Sequence, residues 1–221
     1  FSETDEWIGT LGVYTTNFNE GKLNSGVSRH ASRDLTDMVM TELQHDLSAK
    51  YGRQWNRRGM WNRNYSETRL PAVPSMILEI LSHQNFADMR MGHDPNFKFT
   101  VARSVYTAIL KHTATMHGTD YVVQPLPVTR FAIEEGSKHT FRLSWQGVID
   151  PQEPTAHPRG YIVYTRLGHG GWDNGTYVKD NYYTFQAEPG LVYSFKVSAL
   201  NKGGESFPSE ILSAYHAKKN E

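Results

Sequence analysis

The sequence predicts two unlike folds in succession: an α/β segment over residues 1–118 and an all-β, immunoglobulin-like sandwich over residues 119–221. Three observations predict this. Before Gly118, apolar residues recur at three- and four-residue steps in two long stretches, separated by short β-branched or apolar runs. From Val122 the apolar period falls to two, as in half-buried strands. Turn clusters at Glu134 to Ser137, Gly168 to Gly175 and Asn201 to Glu205 then divide the second half, and no helical pattern returns.

In the first half, Thr10 to Thr16 (TLGVYTT) is β-branched and aromatic and is expected to form a strand, closed by the turn-rich stretch Asn17 to Gly26. A helix follows, with Ser28 as its N-cap, an apolar stripe of Ala31, Leu35, Met38, Val39, Leu43 and Leu47, and Gly52 as its stop. The basic and aromatic run Arg53 to Tyr65 suggests an exposed loop anchored by two tryptophans. Pro71 and Pro74 bracket a turn before Ser75 to Leu81 (SMILEIL), whose apolar content suggests a buried parallel strand carrying one carboxylate, Glu79. Asp94 and Pro95 open a last helix, with Val101, Ala102, Val105, Tyr106, Ile109 and Leu110 on its apolar side. So few strands make a thin sheet with exposed or covered edges.

Composition narrows the function classes. With 23 basic and 23 acidic side chains among 221 residues, the net charge is zero, and neither sign is blocked into a run that would suit nucleic acid or lipid. No window approaches the ~18 apolar residues of a membrane span. Cysteine is absent, which excludes disulfides and thiolate metal ligands. The sequence opens on Phe1 without Met, a basic segment or an apolar segment, so any signal peptide is expected to have been removed upstream.

In the second half, a Pro-rich lead, LSW at 143 to 145, GYIVYTR at 160 to 166 and PGLVYSFKVSALNKGGES at 189 to 206 together resemble a fibronectin type III domain over Pro125 to Ala217. The resemblance implies that Trp145 is the core tryptophan and that the Tyr193 hydroxyl ties a corner between sheets. The loop GHGGWDNG could offer Trp172 to a sugar, but it suits a long hairpin tip better.

In the first half, the run Asn56 to Met89 resembles the C-terminal half of a type 3 zinc-dependent N-acetylmuramoyl-L-alanine amidase. Arg58 with Gly59, Glu67 with Thr68, and Pro74 through Glu79 follow the family's order, and Asn85 and Asp88 match its later Asn and Asp. The resemblance implies a cell-wall hydrolase in which zinc activates water against the lactyl amide of peptidoglycan, with Glu79 as catalytic acid and base and Arg58 as a substrate-binding residue. On the residues alone, Glu79 could equally be a strand-end carboxylate paired with Arg58 or Arg69. Ile80 and Leu81 follow Glu79 where the family has glycine.

The family's zinc ligands lie upstream of Gly9, the last of them just before Phe1, so the chain is expected to begin just after the metal site and to be inactive alone. None of the ten histidines forms an HExxH pattern, and His112 and His117 are off the spacing that puts two ligands on one helix face. His83 and His93 near the strand end and His30 near a helix start are expected to be solvated or structural, so no residue here is assigned as a metal ligand. The expected setting is the bacterial cell envelope or secretion, with peptidoglycan or another polysaccharide as partner and no nucleic acid. Two alternatives stand beside the hydrolase: an inactive glycan- or partner-binding envelope protein, and another polysaccharide-active enzyme such as a lyase.

Overall fold

In the computed structural model, which describes residues 6–217, the chain divides between Asp120 and Tyr121 into two units. The first runs β1 (Thr10–Tyr14), α1 (His30–Tyr51), β2 (Arg57–Asn62), α2 (Ser66–Arg69), β3 (Ile77–Glu79), α3 (Phe86–His93) and α4 (Pro95–His117). Its sheet has the order β2-β1-β3. α1 stops and α4 starts on the signals read from the sequence, whereas the N-cap of α1 is Arg29, one residue after the expected Ser28, and α4 runs on to its C-cap, Gly118. Ser28 Oγ accepts a hydrogen bond from His30 N at 3.2 Å, and Gly52 closes α1 in the left-handed conformation at φ 61°. Asp94 Oδ1 accepts from Asn96 N at 2.9 Å, with Pro95 in the first turn of α4.

The core of this unit gathers Val39, Leu43 and Leu47 of α1 with Phe97, Val101 and Ala108 of α4 around the fully buried Trp55, whose Nε1 donates to Thr10 Oγ1 at 2.7 Å. Gly12 lets α1 come close to β1, because a Cβ there would sit 2.4 Å from Thr36 Cγ2.

Three expectations for this unit are corrected. Residues 57–62 form strand β2, parallel to β1, rather than an exposed loop. Its charged and polar side chains suit an edge strand. Of the two tryptophans, Trp55 is buried while Trp61 is 49% exposed, so only one anchors. Ile77–Glu79 forms a strand, but it runs antiparallel to β1. A parallel return needs a crossover of helical length, and the segment between β2 and β3 holds only the four-residue α2.

The second unit is the sandwich. One sheet has the order β4-β5-β8, built from β4 (Thr129–Glu135), β5 (Thr140–Gln146) and β8 (Tyr182–Gln186). The other has the order β10-β9-β6-β7, with β6 (Gly160–Leu167), β7 (Thr176–Val178), β9 (Val192–Asn201), β10 (Gly204–Glu205) and, also paired to β9, β11 (Leu212–Tyr215). The period-two residues face inward as read: Phe141, Leu143 and Trp145 meet Tyr161, Val163, Tyr193, Phe195, Val197 and Ala199. Aromatic rings pack edge-on, with Trp145 5.3 Å from Tyr161 and Phe185 5.1 Å from Phe195. The Tyr193 hydroxyl accepts from Glu188 N at 3.3 Å, five residues upstream, as the corner role implies.

Phe195 is fully buried and packs against Phe141 and Phe185 of the opposite sheet. A Phe195→Ala substitution should cost about 3–5 kcal/mol, read as a lowered midpoint in urea unfolding followed by tryptophan fluorescence.

Candidate functional site

Glu79 is the last residue of β3, and its backbone pairs with Leu11 of the central strand. On the other side of β1 the register slips: Thr10 pairs with Arg57 and Leu11 with Gly59, so Arg58 is an extra residue bulged out of β2. The bulge separates two neighbouring arginines. Arg57 bonds Asp37 and, at 3.0 Å, Thr41 on α1. Arg58 reaches across β1 instead, and its Nη2 donates to Glu79 Oε2 at 2.7 Å. The bond spans the sheet at the level of Leu11, which is 1% exposed.

The Glu79 side chain is 51% exposed, so the expectation of a carboxylate embedded among apolar residues is corrected. Strand alternation explains it: Met76, Leu78 and Ile80 pack on the helical core, while Glu79 points to the opposite face. Of the two arginines considered as its partner, the structure brings only Arg58 to it. The Arg69 guanidinium lies over the Phe18 ring, 5.5 Å from its centre.

Behind Glu79 the chain is held by Asn85 and Asp88, both buried. Asn85 Oδ1 caps α3 by accepting from Asp88 N at 2.8 Å, and its Nδ2 donates to Glu6 O at 3.1 Å. Asp88 accepts from Ser82 N at 2.8 Å and Ile8 N at 3.1 Å. His83, His93 and His30 are exposed, whereas His112 is buried, with Nε2 3.0 Å from Ala31 O. Among the described residues no group of three or more His, Asp or Glu side chains is placed to hold a metal ion. The described residues therefore supply no ligand set for zinc.

A buried arginine escaped the sequence reading. Arg29 has no exposed surface and donates to the carbonyls of Lys22 (2.9 Å), Thr68 (3.2 Å) and Arg69 (2.7 Å), so it ties the loop after β1 to α2. Burial pulls its pKa below the usual arginine value. Its sequence surroundings are polar and carry no signal for this.

In the sandwich, Trp172 does not project from its hairpin. Its ring lies between the Arg166 guanidinium at 4.8 Å and the Lys196 ammonium at 4.5 Å. Lys196 also lies over Tyr164, whose hydroxyl donates to Glu205 Oε2 at 2.8 Å. A second cluster, also unread in the sequence, sets His139 Nδ1 2.5 Å from His216 Nε2. Glu135 Oε1 lies 2.6 Å from the other ring nitrogen of His216.

Two packed antiparallel sheets with a tyrosine corner define an immunoglobulin-like sandwich. Within that class, the family model of the fibronectin type III domain matches residues 126–215, and this part of the chain is a fibronectin type III domain. Among solved structures, the chain is similar to the twitchin kinase region from C. elegans, at 25% identity and a TM-score of 0.37, covering 43% of this chain and 17% of that one. It is similar to the titin kinase with its flanking domains at 22% identity and a TM-score of 0.38, covering 43% of this chain and 18% of that one. With the fn3 domain of human contactin 1 it shares 18% identity at a TM-score of 0.36, over 42% of this chain and 79% of that one. No curated protein matches the chain.

Two outcomes follow from this geometry. Because Glu79 is half exposed, Arg58→Ala should lower unfolding free energy by less than about 1 kcal/mol; a larger loss in urea unfolding would mean that the pair holds the sheet together. Burial raises the pKa of Tyr51, Tyr161 and Tyr164, aided by Asp94 at Tyr51 and by Glu205 and Asp173 at Tyr164. A raised folded value favours the neutral phenol, so this stabilisation is complete below the unfolded value of about 10 and is lost as pH rises through the folded one. Alkaline absorbance titration should show a late tyrosine fraction, and Glu205→Gln should bring part of it earlier.

Proposed function

We propose that the first unit serves a cell-wall hydrolase of the N-acetylmuramoyl-L-alanine amidase type, with Glu79 moving the proton and Arg58 orienting it. The fibronectin type III domain is its accessory module. The observation that carries this reading is the bulge in β2, which turns Arg58 out of the ladder and aims it across the central strand at a carboxylate on an open strand end. Bulges of this kind re-aim side chains and are over-represented beside active sites. The partner is peptidoglycan, and the setting is the bacterial cell envelope or the secreted fraction.

The chemistry asked of Glu79 is modest. Its carboxylate accepts a proton from the water that attacks the amide carbonyl, then delivers it to the amine nitrogen as the C–N bond breaks. Arg58 holds one carboxylate oxygen and leaves the other for this transfer. Zinc supplies water activation in the family that the sequence resembles, but the described residues offer it no ligand set and no step here runs through it.

A specific observation favours a second reading. A half-exposed carboxylate neutralised by an arginine is also what a purely structural pair looks like, and Ile80 and Leu81 replace the family's glycine. Under that reading the protein binds glycan or a partner without cutting it.

The test is peptide release from purified peptidoglycan by the full-length, zinc-supplemented protein. Glu79→Gln should reduce the rate by roughly 10²–10⁴-fold with the fold intact. A variant that keeps its rate refutes the role of Glu79. Glycan binding by the unsubstituted protein without peptide release establishes the second reading.

A further inference from the structure

The fibronectin type III domain contains a cleft of about 740 Å³ at the end where the chain enters β6 and leaves β9. Val122 and Leu200 give it apolar surface, Tyr177 an aromatic ring, and His157, Arg159 and Lys202 its nitrogen groups. Among the described residues none that lines it is acidic, and the nearby Glu153 carboxylate accepts from the Thr155 hydroxyl at 2.7 Å.

The walls are built rather than loose. Asn201 Nδ2 donates to three carbonyls, of Val123 at 2.9 Å, Thr155 at 3.1 Å and His157 at 3.3 Å, and its Oδ1 accepts from Gly203 N at 2.7 Å. One amide side chain thus fixes the lead segment before β4, the loop before β6 and the turn after β9. Arg159 N donates to Leu200 O at 2.7 Å, pinning the base of the Arg159 side chain.

Tyr177 lies flat. A Cβ on Gly160 would sit 2.5–2.7 Å from its ring and hydroxyl, so only glycine lets the ring rest on β6. The hydroxyl donates to Arg159 O at 3.4 Å, and the side chain remains 58% exposed. The ring is thus backed by Gly160 and is still more than half exposed.

We infer that this cleft binds a carboxylate-bearing pyranose, with the sugar ring stacked on Tyr177 and its carboxylate held by Arg159 and Lys202. An aromatic ring suits the C–H face of a sugar, and an arginine and a lysine lining the same cleft suit an anionic group. Two sources carry that chemistry: a glycan strand stripped of its peptides, whose lactyl groups end in free carboxylates, and a uronate polysaccharide. Choosing the first rests on the proposed function; the carboxylate preference does not.

The full chain is titrated calorimetrically with peptide-free glycan fragments, with oligogalacturonate and with neutral chito-oligosaccharide. At least one acidic ligand should bind about tenfold or more tightly than the neutral one, and the doubly substituted Arg159→Gln, Lys202→Gln chain should lose that margin. Tyr177→Ala should weaken both acidic and neutral sugars, while Lys179→Gln, outside the cleft, should change nothing. Near-ultraviolet circular dichroism confirms that each variant is folded. Preference for the peptide-free strand places the site on the cell wall, and preference for oligogalacturonate places it on another polymer. Equal affinity for acidic and neutral sugars, no binding at millimolar ligand, or an unaffected double variant overturns the inference. Acidic-sugar binding by a protein that releases no peptide from peptidoglycan leaves this site standing and removes the hydrolase reading alone.

Discussion

The buried carboxylate of Asp88 is the interaction on which the geometry around Glu79 depends. It is fully buried, and two backbone amides bond to it: Ile8 N, just before β1, and Ser82 N, just after β3. A buried carboxylate without such donors would cost several kcal/mol. Its place in the first turn of α3 adds the favourable field of a helix N-terminus. Hydrogen bonds to a charged group contribute about 1.5–3 kcal/mol each, against at most about 1 kcal/mol for a half-exposed ion pair. Asp88 therefore sets where β3 ends, strand alternation sets the face on which Glu79 emerges, and Arg58 only holds its carboxylate there. β3 pairs with β1 through three residues, too short a ladder to fix its own end.

The second unit distributes its polar groups differently. Its core is aromatic and apolar, and its polar ties lie at the loops: the Asn201 amide, the Tyr193 hydroxyl, and the Ser206 and Ser209 hydroxyls, each accepting a backbone N–H of β9. A sandwich built this way supports loops without lending them chemistry, and function has to be read from the side chains those loops carry. Trp172 shows the limit of reading exposure from a hairpin sequence. Its two cationic neighbours, Arg166 on β6 and Lys196 on β9, draw the ring down onto the sheet.

Periodicity made much of this legible. The stripe from Ala31 to Leu47 and the repeat from Val101 to Leu110 gave the positions of α1 and α4, with Gly52 and Asp94-Pro95 as local caps, but Ala102 and Ile109 of that repeat are exposed and α4 buries Phe97, Ser104 and Ala108 instead. Alternation gave the sandwich core from Phe141 to Trp145 and from Tyr193 to Ala199. Pattern failed where the answer is not local. Strand direction is invisible to hydrophobic alternation, so β3 read as parallel. β2 is rich in arginine and asparagine and has no β-branched residue, so its pairing with β1 left no trace in composition. The apolar neighbours of Glu79 suggested burial, yet a strict period of two applied to Met76, Leu78 and Ile80 puts Glu79 on the other face. Arg29 stayed hidden, and Asp88 was picked out only by the family resemblance, because a buried charge satisfied by distant backbone groups looks, in sequence, like any polar residue.

Under the proposed reaction, the two candidate sites are chemically related. Cleaving the lactyl amide converts a neutral acyl group on the sugar into a carboxylate, and a carboxylate on a pyranose is what the cleft beside Tyr177 is built to hold. A module selecting that product would concentrate the enzyme on strands already being processed, because tethering within one chain turns a second encounter into an intramolecular one. A module selecting the substrate would need room for a peptide stem, whose own carboxylates lie along the peptide and not on the sugar. Among the described lining residues Arg159 and Lys202 supply the cations, so a carboxylate fixed to the sugar ring is the group that the cleft suits.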